Sequence, residues 1–131
     1  MLRASKAHLA EAGESYFEHM RFAAVVGMLA MGAGLACLLH ALVPALCEKT
    51  CSRAVGSLQS LFRDRSQLRS TVAENSALFI FVVLTGVSCV TALALAICTA
   101  GTLIGLLVIP QAFALPLIFL LQNPGLEPVA N

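Results

Sequence analysis

Three histidines are the residues of this chain best suited to metal or haem chemistry. They are His8, His19 and His40, and an imidazole ring both binds transition metals and titrates near neutral pH. On one continuous helix His8 and His19 would lie about 16 Å apart, and His19 and His40 about 31 Å apart. Because zinc bonds are about 2 Å long, the sequence predicts no metal site and no bound cofactor within one chain.

Cys47 and Cys51 are spaced so that they could meet on one face of a helix. A disulfide is disfavoured by the cytoplasmic location predicted below, and two thiolates do not complete a zinc site. We interpret them, with Cys37, Cys89 and Cys98, as small apolar side chains. The sequence shows no Ser-His-Asp set, no paired intramembrane carboxylates and no glycine-rich phosphate loop, and it therefore predicts no catalytic residues and no enzyme.

The elements that must position these residues are membrane-spanning helices. The chain has 131 residues, a mean hydropathy of +0.88 and 11% charged residues, against about 25% in soluble domains. Residues 22–47 and 77–122 contain no Asp, Glu, Lys or Arg. Since about 20 apolar residues cross a bilayer, the first block predicts one span and the second predicts two. The fold class is an all-α integral membrane protein with three transmembrane helices.

The second block has two competing divisions. In the first it is a helical hairpin, 77–98 and 102–122, with a turn near Thr99. In the second it is one long helix that ends near Pro110, followed by a half-helix. A continuous helix over 77–109 would be about 50 Å long, more than a bilayer accommodates without strong tilt, so the hairpin is favoured.

The remaining segments are predicted to lie outside the bilayer. Residues 1–21 form an amphipathic surface segment, 48–76 a basic amphipathic connector and 123–131 an irregular tail. The first segment is expected to contain a helix over 5–20, although Gly13 leaves two short helices open. In the connector, Ser52 is a candidate N-cap and Arg53, Arg63 and Arg65 suit anionic headgroups at a membrane surface. The alternative is a solvated connector, and residues 70–76 are expected to form a polar linker.

Orientation follows from the Lys and Arg count beside the spans. Residues 48–76 hold five, residues 1–21 hold three, and the tail after Gln122 holds none. This count predicts an N-terminus outside and a C-terminus in the cytoplasm. Residues 1–21 lack an apolar signal region, so the first span is expected to act as an uncleaved anchor. The net charge of +1 gives no reason to expect nucleic acid as a partner.

Small residues recur at helical spacing within the spans. In lipid such residues let helix backbones approach closely, so they predict helix-helix contacts, although small residues are common in membrane helices in general. The first span carries Ala23, Gly27, Ala30, Gly34, Cys37 and Ala41; the second carries Thr85, Cys89, Ala92, Ala96 and Thr99; the third begins with Gly101 and Gly105.

Several polar residues of the first half form a recognisable pattern. His8, GESYFEHMRFA, GAGLACLLHALVP and SRAV resemble a family of short bacterial membrane proteins of unknown function, mostly alphaproteobacterial. The resemblance covers residues 8–60. It rests on His8, Gly13, Ser15, Tyr16, His19, His40, Ala41 and Pro44. Members of that family usually have an aromatic residue at the position of Cys47 and glycine at that of Cys51. The resemblance implies no activity, although a capsule-biosynthesis label accompanies some such sequences.

His40 and Pro44 allow two interpretations. Pro44 cannot donate a backbone hydrogen bond, so the pair could form a hydrogen-bonded hinge where the first helix leaves the bilayer, or His40 could relay protons or contact a ligand.

Three functions remain open from the sequence. The first is a non-enzymatic accessory or assembly subunit of the bacterial inner membrane, in contact with lipid and packed with itself or with a larger membrane complex. The second is a component of a transport or envelope-polysaccharide system with His40 and Gln111 on a polar path. The third is a haem- or quinone-linked electron-transfer subunit that uses His19 or His40.

Overall fold

The structure, a computed structural model, describes residues 2–100 and 102–128, and all regular structure in these ranges is helical. Seven α-helices follow in order within them: α1 (Leu2–Ala12), α2 (Tyr16–Leu42), α3 (Thr50–Arg63), α4 (Leu68–Glu74), α5 (Ser76–Cys98), α6 (Leu103–Val108) and α7 (Ala114–Gln122). Short 3₁₀ turns at Arg65–Gln67 and Pro110–Phe113 connect α3 to α4 and α6 to α7.

Three helical stretches are long and apolar enough to cross a membrane. They are Tyr16–Leu42, Ser76–Cys98 and Leu103–Gln122, the last of which contains the 3₁₀ turn. The prediction of an all-helical chain with three such stretches is confirmed. These helices are compatible with a multi-pass membrane protein.

Helix α2 is the centre of the packing. It contacts both α3 and α5, and Leu29 and Ala36 on its inner face have no exposed surface. The closest approach is at Gly32, where an added Cβ would lie 2.7 Å from Cγ of Leu78 on α5. Glycine at this position therefore lets the side chain of Leu78 rest against the backbone of α2.

Helix α3 runs back along α2. Near the start of α2 the rings of Phe22 and Phe62 lie 6.1 Å apart, centre to centre, at a steep angle. At the other end Cys51 lies beside Cys37, which raises the pKa of the Cys51 thiol. The sequence predicts that this basic segment lies on the membrane surface. In the structure Leu61 of its apolar side has no exposed surface and packs within the protein, whereas Val55 and Phe62 of the same side are exposed.

The connector departs from the predictions at both of its ends. Helix α3 begins at Thr50, with Lys49 as N-cap and no side-chain cap, so Ser52 lies inside the helix and the predicted N-cap is wrong. The predicted polar linker is also wrong, because α4 occupies most of residues 70–76. Two hydrogen bonds of the Asn75 side chain hold the end of α4, one to α3 and one within its own turn. The Asn75 side-chain amide donates to Ser57 Oγ over 3.1 Å and to the Thr71 carbonyl over 2.9 Å.

Between Cys98 and Leu103 the chain reverses direction, and the return arm packs on α5. The alternative, one continuous helix through Ile109, does not form. The arm itself is interrupted at Pro110, which lacks the N–H that a helix interior requires. Gly105 is buried beside the turn, where an added Cβ would lie 2.5 Å from Thr99 Oγ1. Gly101, the other glycine of this predicted contact pair, lies outside the described residues.

Residues 123–128 are irregular but docked onto the start of α3. The Cys47 N–H donates to the Pro124 carbonyl over 2.9 Å, and Thr50 Oγ1 donates to the Gly125 carbonyl over 3.0 Å. Cys47 is buried in a turn with a left-handed backbone (φ 56°). Because Cys47 precedes the helix, Cys47 and Cys51 do not share a helix face.

Candidate functional site at the N-terminal clasp

Gly13 breaks the N-terminal segment into two helices. Its φ of +66° is left-handed, a conformation that glycine adopts without the steric cost other residues incur. Helix α1 ends at Ala12 and α2 begins at Tyr16. The expected continuous helix over 5–20 is therefore wrong, and the two-helix alternative is the one observed.

Ser15 starts α2 through a capping box. Its hydroxyl accepts the N–H of Glu18 over 3.3 Å, and the Glu18 carboxylate accepts the N–H of Ser15 over 2.9 Å. This reciprocal pair satisfies backbone donors at the start of the helix. The Ser-x-x-Glu pattern that is typical of a capping box is present in the sequence at Ser15 and Glu18. The capping box gives Ser15, one residue of the polar pattern on which the family resemblance rests, a structural role. The neighbouring Tyr16 is 60% exposed.

The turn at Gly13 brings His8 onto His19. Their ring centres lie 5.0 Å apart, with the ring planes at 88°. The separation of about 16 Å along a continuous helix is therefore wrong, because it assumes that no break occurs at Gly13. The two histidines of the N-terminal motif form one cluster.

Glu14 joins this cluster to the connector. His19 Nδ1 donates to one Glu14 oxygen over 3.1 Å, and Arg65 donates to the other. The guanidinium of Arg65 also lies 4.4 Å from the centre of the Phe22 ring, where a cation is attracted to the aromatic face. We call His8, Glu14, His19, Phe22 and Arg65 the N-terminal clasp.

The hydrogen bond from Arg65, followed by that from His19, lowers the pKa of Glu14 below its usual value of 4.5. Glu14 is therefore ionised at neutral pH. From the sequence Glu14 is not a candidate site residue, and Arg65 is predicted only to contact anionic headgroups, because the contact between them joins positions 51 residues apart in the chain.

The clasp borders an open surface cavity of about 390 Å³. Glu14, Phe22 and Arg65 of the clasp line it, together with Gly13, Glu18, Arg21, Ser66 and Leu68. Both signs of charge are present, so the cavity has no strong preference for anions or cations as a whole. It leaves the side chains of Glu14 and Arg65 accessible to solvent.

His40 forms a separate feature at the far end of α2. Its Nδ1 donates to the Leu46 carbonyl over 3.0 Å, and α2 ends two residues later at Leu42, just before Pro44. This bond ties the helix to the turn that follows, as the hinge interpretation expects. Gln111 is exposed in the return arm, and no hydrogen bond among the described residues joins it to His40.

The positions of the histidines and of the other possible ligands limit which metal or haem sites the described residues can form. In the described ranges, no group of three or more His, Cys, Asp or Glu side chains is arranged to hold a metal ion. The two axial ligands of a bis-histidine haem lie on opposite faces of the macrocycle. The rings of His8 and His19 are in direct contact, so no haem fits between them as they stand.

Most of the predicted small-residue stripe of α2 faces away from the rest of the protein, and of its six residues Cys37 lies beside Cys51 of α3. Ala23, Ala30, Gly34, Cys37 and Ala41 are exposed and Gly27 is half-buried. A Cβ added at Gly27 or Gly34 would meet nothing within 4 Å. The packing of α2 inside the molecule uses another face instead, with Leu29, Gly32, Ala33 and Ala36 buried. On α5, by contrast, Ala92 of the predicted stripe is buried and only Cys89 is exposed.

Comparison with known families adds one finding. Residues 2–65 match a family of unknown function (DUF6356). The match covers α1, α2 and α3 and ends at Arg65, so both halves of the clasp fall within it, whereas the hairpin lies outside. It supports the similarity to an uncharacterised family. No curated protein and no solved structure matches the chain.

Proposed function

We propose that this protein is a non-enzymatic assembly subunit of a membrane and that two copies associate through the small-residue face of α2. One observation carries the proposal. Inside the molecule α2 packs through Leu29, Gly32 and Ala33, whereas Ala23, Ala30, Gly34 and Ala41 of the separate small-residue face are exposed. Two such faces can approach closely in lipid, where contact between backbones favours association.

The exposed faces of α2 and α5 differ in a way that supports this assignment. Helix α5 exposes bulky side chains, among them Val83, Val90 and Ile97 at 52%, 70% and 71%, which is typical of a surface in contact with lipid. The exposed stripe of α2 is made of glycine, alanine and cysteine. It carries no charge, so the stripe of a second copy can pack against it about a two-fold axis.

Gly34→Leu tests the proposal because it places a bulky side chain in the middle of the stripe. We expect the wild-type protein to be a dimer or larger oligomer in mild detergent, and we expect the variant to associate at least about tenfold more weakly, a cost of about 1.4 kcal/mol. The measurement is the protein mass by light scattering after size-exclusion chromatography, over a range of concentrations.

Gly86→Leu is the matched control. Gly86 is also exposed on a long apolar helix, and an added Cβ there would meet nothing within 4 Å, but it lies on the bulky face of α5. This variant should associate like the wild type. A monomeric wild type, or a Gly34→Leu variant as oligomeric as Gly86→Leu, would disprove association through the stripe.

We propose the bacterial inner membrane as the location, which the family resemblance implies. The orientation in the membrane depends on which Lys and Arg residues lie at each end of α2, and the fold changes that grouping. Because α3 runs back along α2, Arg63, Arg65 and Arg69 lie near the end of the molecule that also holds Arg3, Lys6 and Arg21. Contacts from Arg65 to Glu14 and a shared cavity beside Arg21 and Arg69 support this grouping. Only Lys49 and Arg53 remain near the other end.

Six basic residues against two predict that the N-terminal end of α2 lies in the cytoplasm, the reverse of the count by sequence segments. An epitope tag on the N-terminus should then resist protease added to intact spheroplasts and become sensitive once the membrane is permeabilised. Digestion of the tag in intact spheroplasts would restore the orientation with the N-terminus outside.

A further inference from the structure

His8 and His19 have the spacing of two ligands on one metal ion. Two imidazoles bound tetrahedrally through bonds of about 2.0 Å have ring centres roughly 5 Å apart, and the observed separation is 5.0 Å. His8 is exposed, so its ring can turn to direct a nitrogen towards the same point as that of His19. The sequence excludes this pair only on the assumption of a continuous helix.

Glu14 prepares His19 for such a role. An ionised carboxylate only accepts hydrogen bonds, so the 3.1 Å contact with Glu14 keeps the proton on Nδ1 of His19. In a neutral ring the lone pair then lies on Nε2, the nitrogen that remains available to a metal. A carboxylate that holds the second nitrogen of a histidine is the usual support for a histidine ligand, and Arg65 in turn fixes Glu14.

We propose that His8 and His19 together bind a divalent transition-metal ion of the class that imidazole favours, with Zn²⁺ as the probe. Glu14 is a positioning residue that orients His19. The described residues supply two side-chain ligands, and solvent water completes the coordination, since His8 is exposed and the side chain of His19 is 27% exposed. Such a site exchanges its ion readily, unlike a closed four-ligand structural site. Bound metal would hold α1 against the start of α2.

The site is tested by titrating Zn²⁺ into the full chain in mild detergent, with calorimetry to measure the affinity and the number of ions bound. We expect one ion per chain and at least a tenfold loss of affinity in His8→Ala and in His19→Ala. Glu14→Gln should weaken binding by about 10- to 100-fold, the usual effect of removing the support of a histidine ligand. His40→Gln, which changes the histidine outside the clasp, should bind zinc as the wild type does.

A second measurement identifies the ligands directly. Zinc should protect His8 and His19, but not His40, from acylation by diethyl pyrocarbonate, as read by peptide mass spectrometry. The double variant Cys37→Ser, Cys51→Ser controls for the thiol pair that α2 and α3 bring together, and it should bind zinc normally. Unchanged binding in His8→Ala, loss of binding in the double cysteine variant, or no binding by the wild type would each overturn the proposal.

Discussion

Gly32→Leu is expected to separate α2 from α5 and to destabilise the protein by at least about 3 kcal/mol, the upper part of the usual cost of overpacking. Even a single Cβ at this position would lie 2.7 Å from Cγ of Leu78. Leu78 is almost fully buried, and a whole leucine side chain at position 32 would need the space that the Leu78 side chain fills. The gain in helix propensity over glycine is only about 1 kcal/mol and does not offset the clash.

The free energy of unfolding can be measured by adding dodecyl sulfate to the protein in mild detergent and monitoring the loss of helix by circular dichroism. Gly34→Leu is the control, since it makes the same chemical change two residues away on the same helix at an exposed position. We expect Gly34→Leu to unfold like the wild type, after correction for any change of oligomeric state. Equal stability of the two variants would mean that α2 does not pack on α5 through Gly32.

Leu61→Ala is expected to lower the free energy of unfolding by about 2–5 kcal/mol, the range for removing a fully buried leucine. Leu61 has no exposed surface, and it belongs to the same core as Leu29 of α2 and Leu78 of α5. Its replacement leaves a cavity between α3 and the rest of the core. The same titration in detergent measures the loss.

Val55→Ala on the same helix provides the comparison. Val55 is 53% exposed, so its truncation should cost less than about 1 kcal/mol, as for most surface substitutions. If α3 lay on the membrane surface, as its amphipathic pattern predicts, the two substitutions would have similar small effects on unfolding. The difference between them therefore distinguishes packing on α2 from binding to lipid.

The clasp gives a physical account of the polar pattern in the first half of the chain. Gly13 provides the turn, Ser15 caps α2, and His8 and His19 are brought together by that turn. The partner of this assembly is Arg65, the last residue of the family match. The matched region thus contains a structural unit in which the N-terminal helices and the end of α3 hold one another.

The sequence by itself determined the three long apolar helices. Charge-free stretches of this length have few alternatives, because a helix satisfies its own backbone groups wherever it lies. It also indicated the hairpin, since a single helix over the second stretch would exceed the bilayer. These conclusions depend on composition and length, which need no knowledge of neighbouring elements.

Only the tertiary structure decided what each surface packs against. Glycine at position 13 permits a left-handed turn but does not require one, so the sequence does not reveal the approach of His8 to His19. An amphipathic pattern shows which side of α3 is apolar without showing whether lipid or protein covers it. The small residues of α2 occur on two faces. On one of these faces the side chain of Leu78 packs against the backbone at Gly32. That fit depends on the shapes of two helices together, so a pattern in one of them could not reveal it.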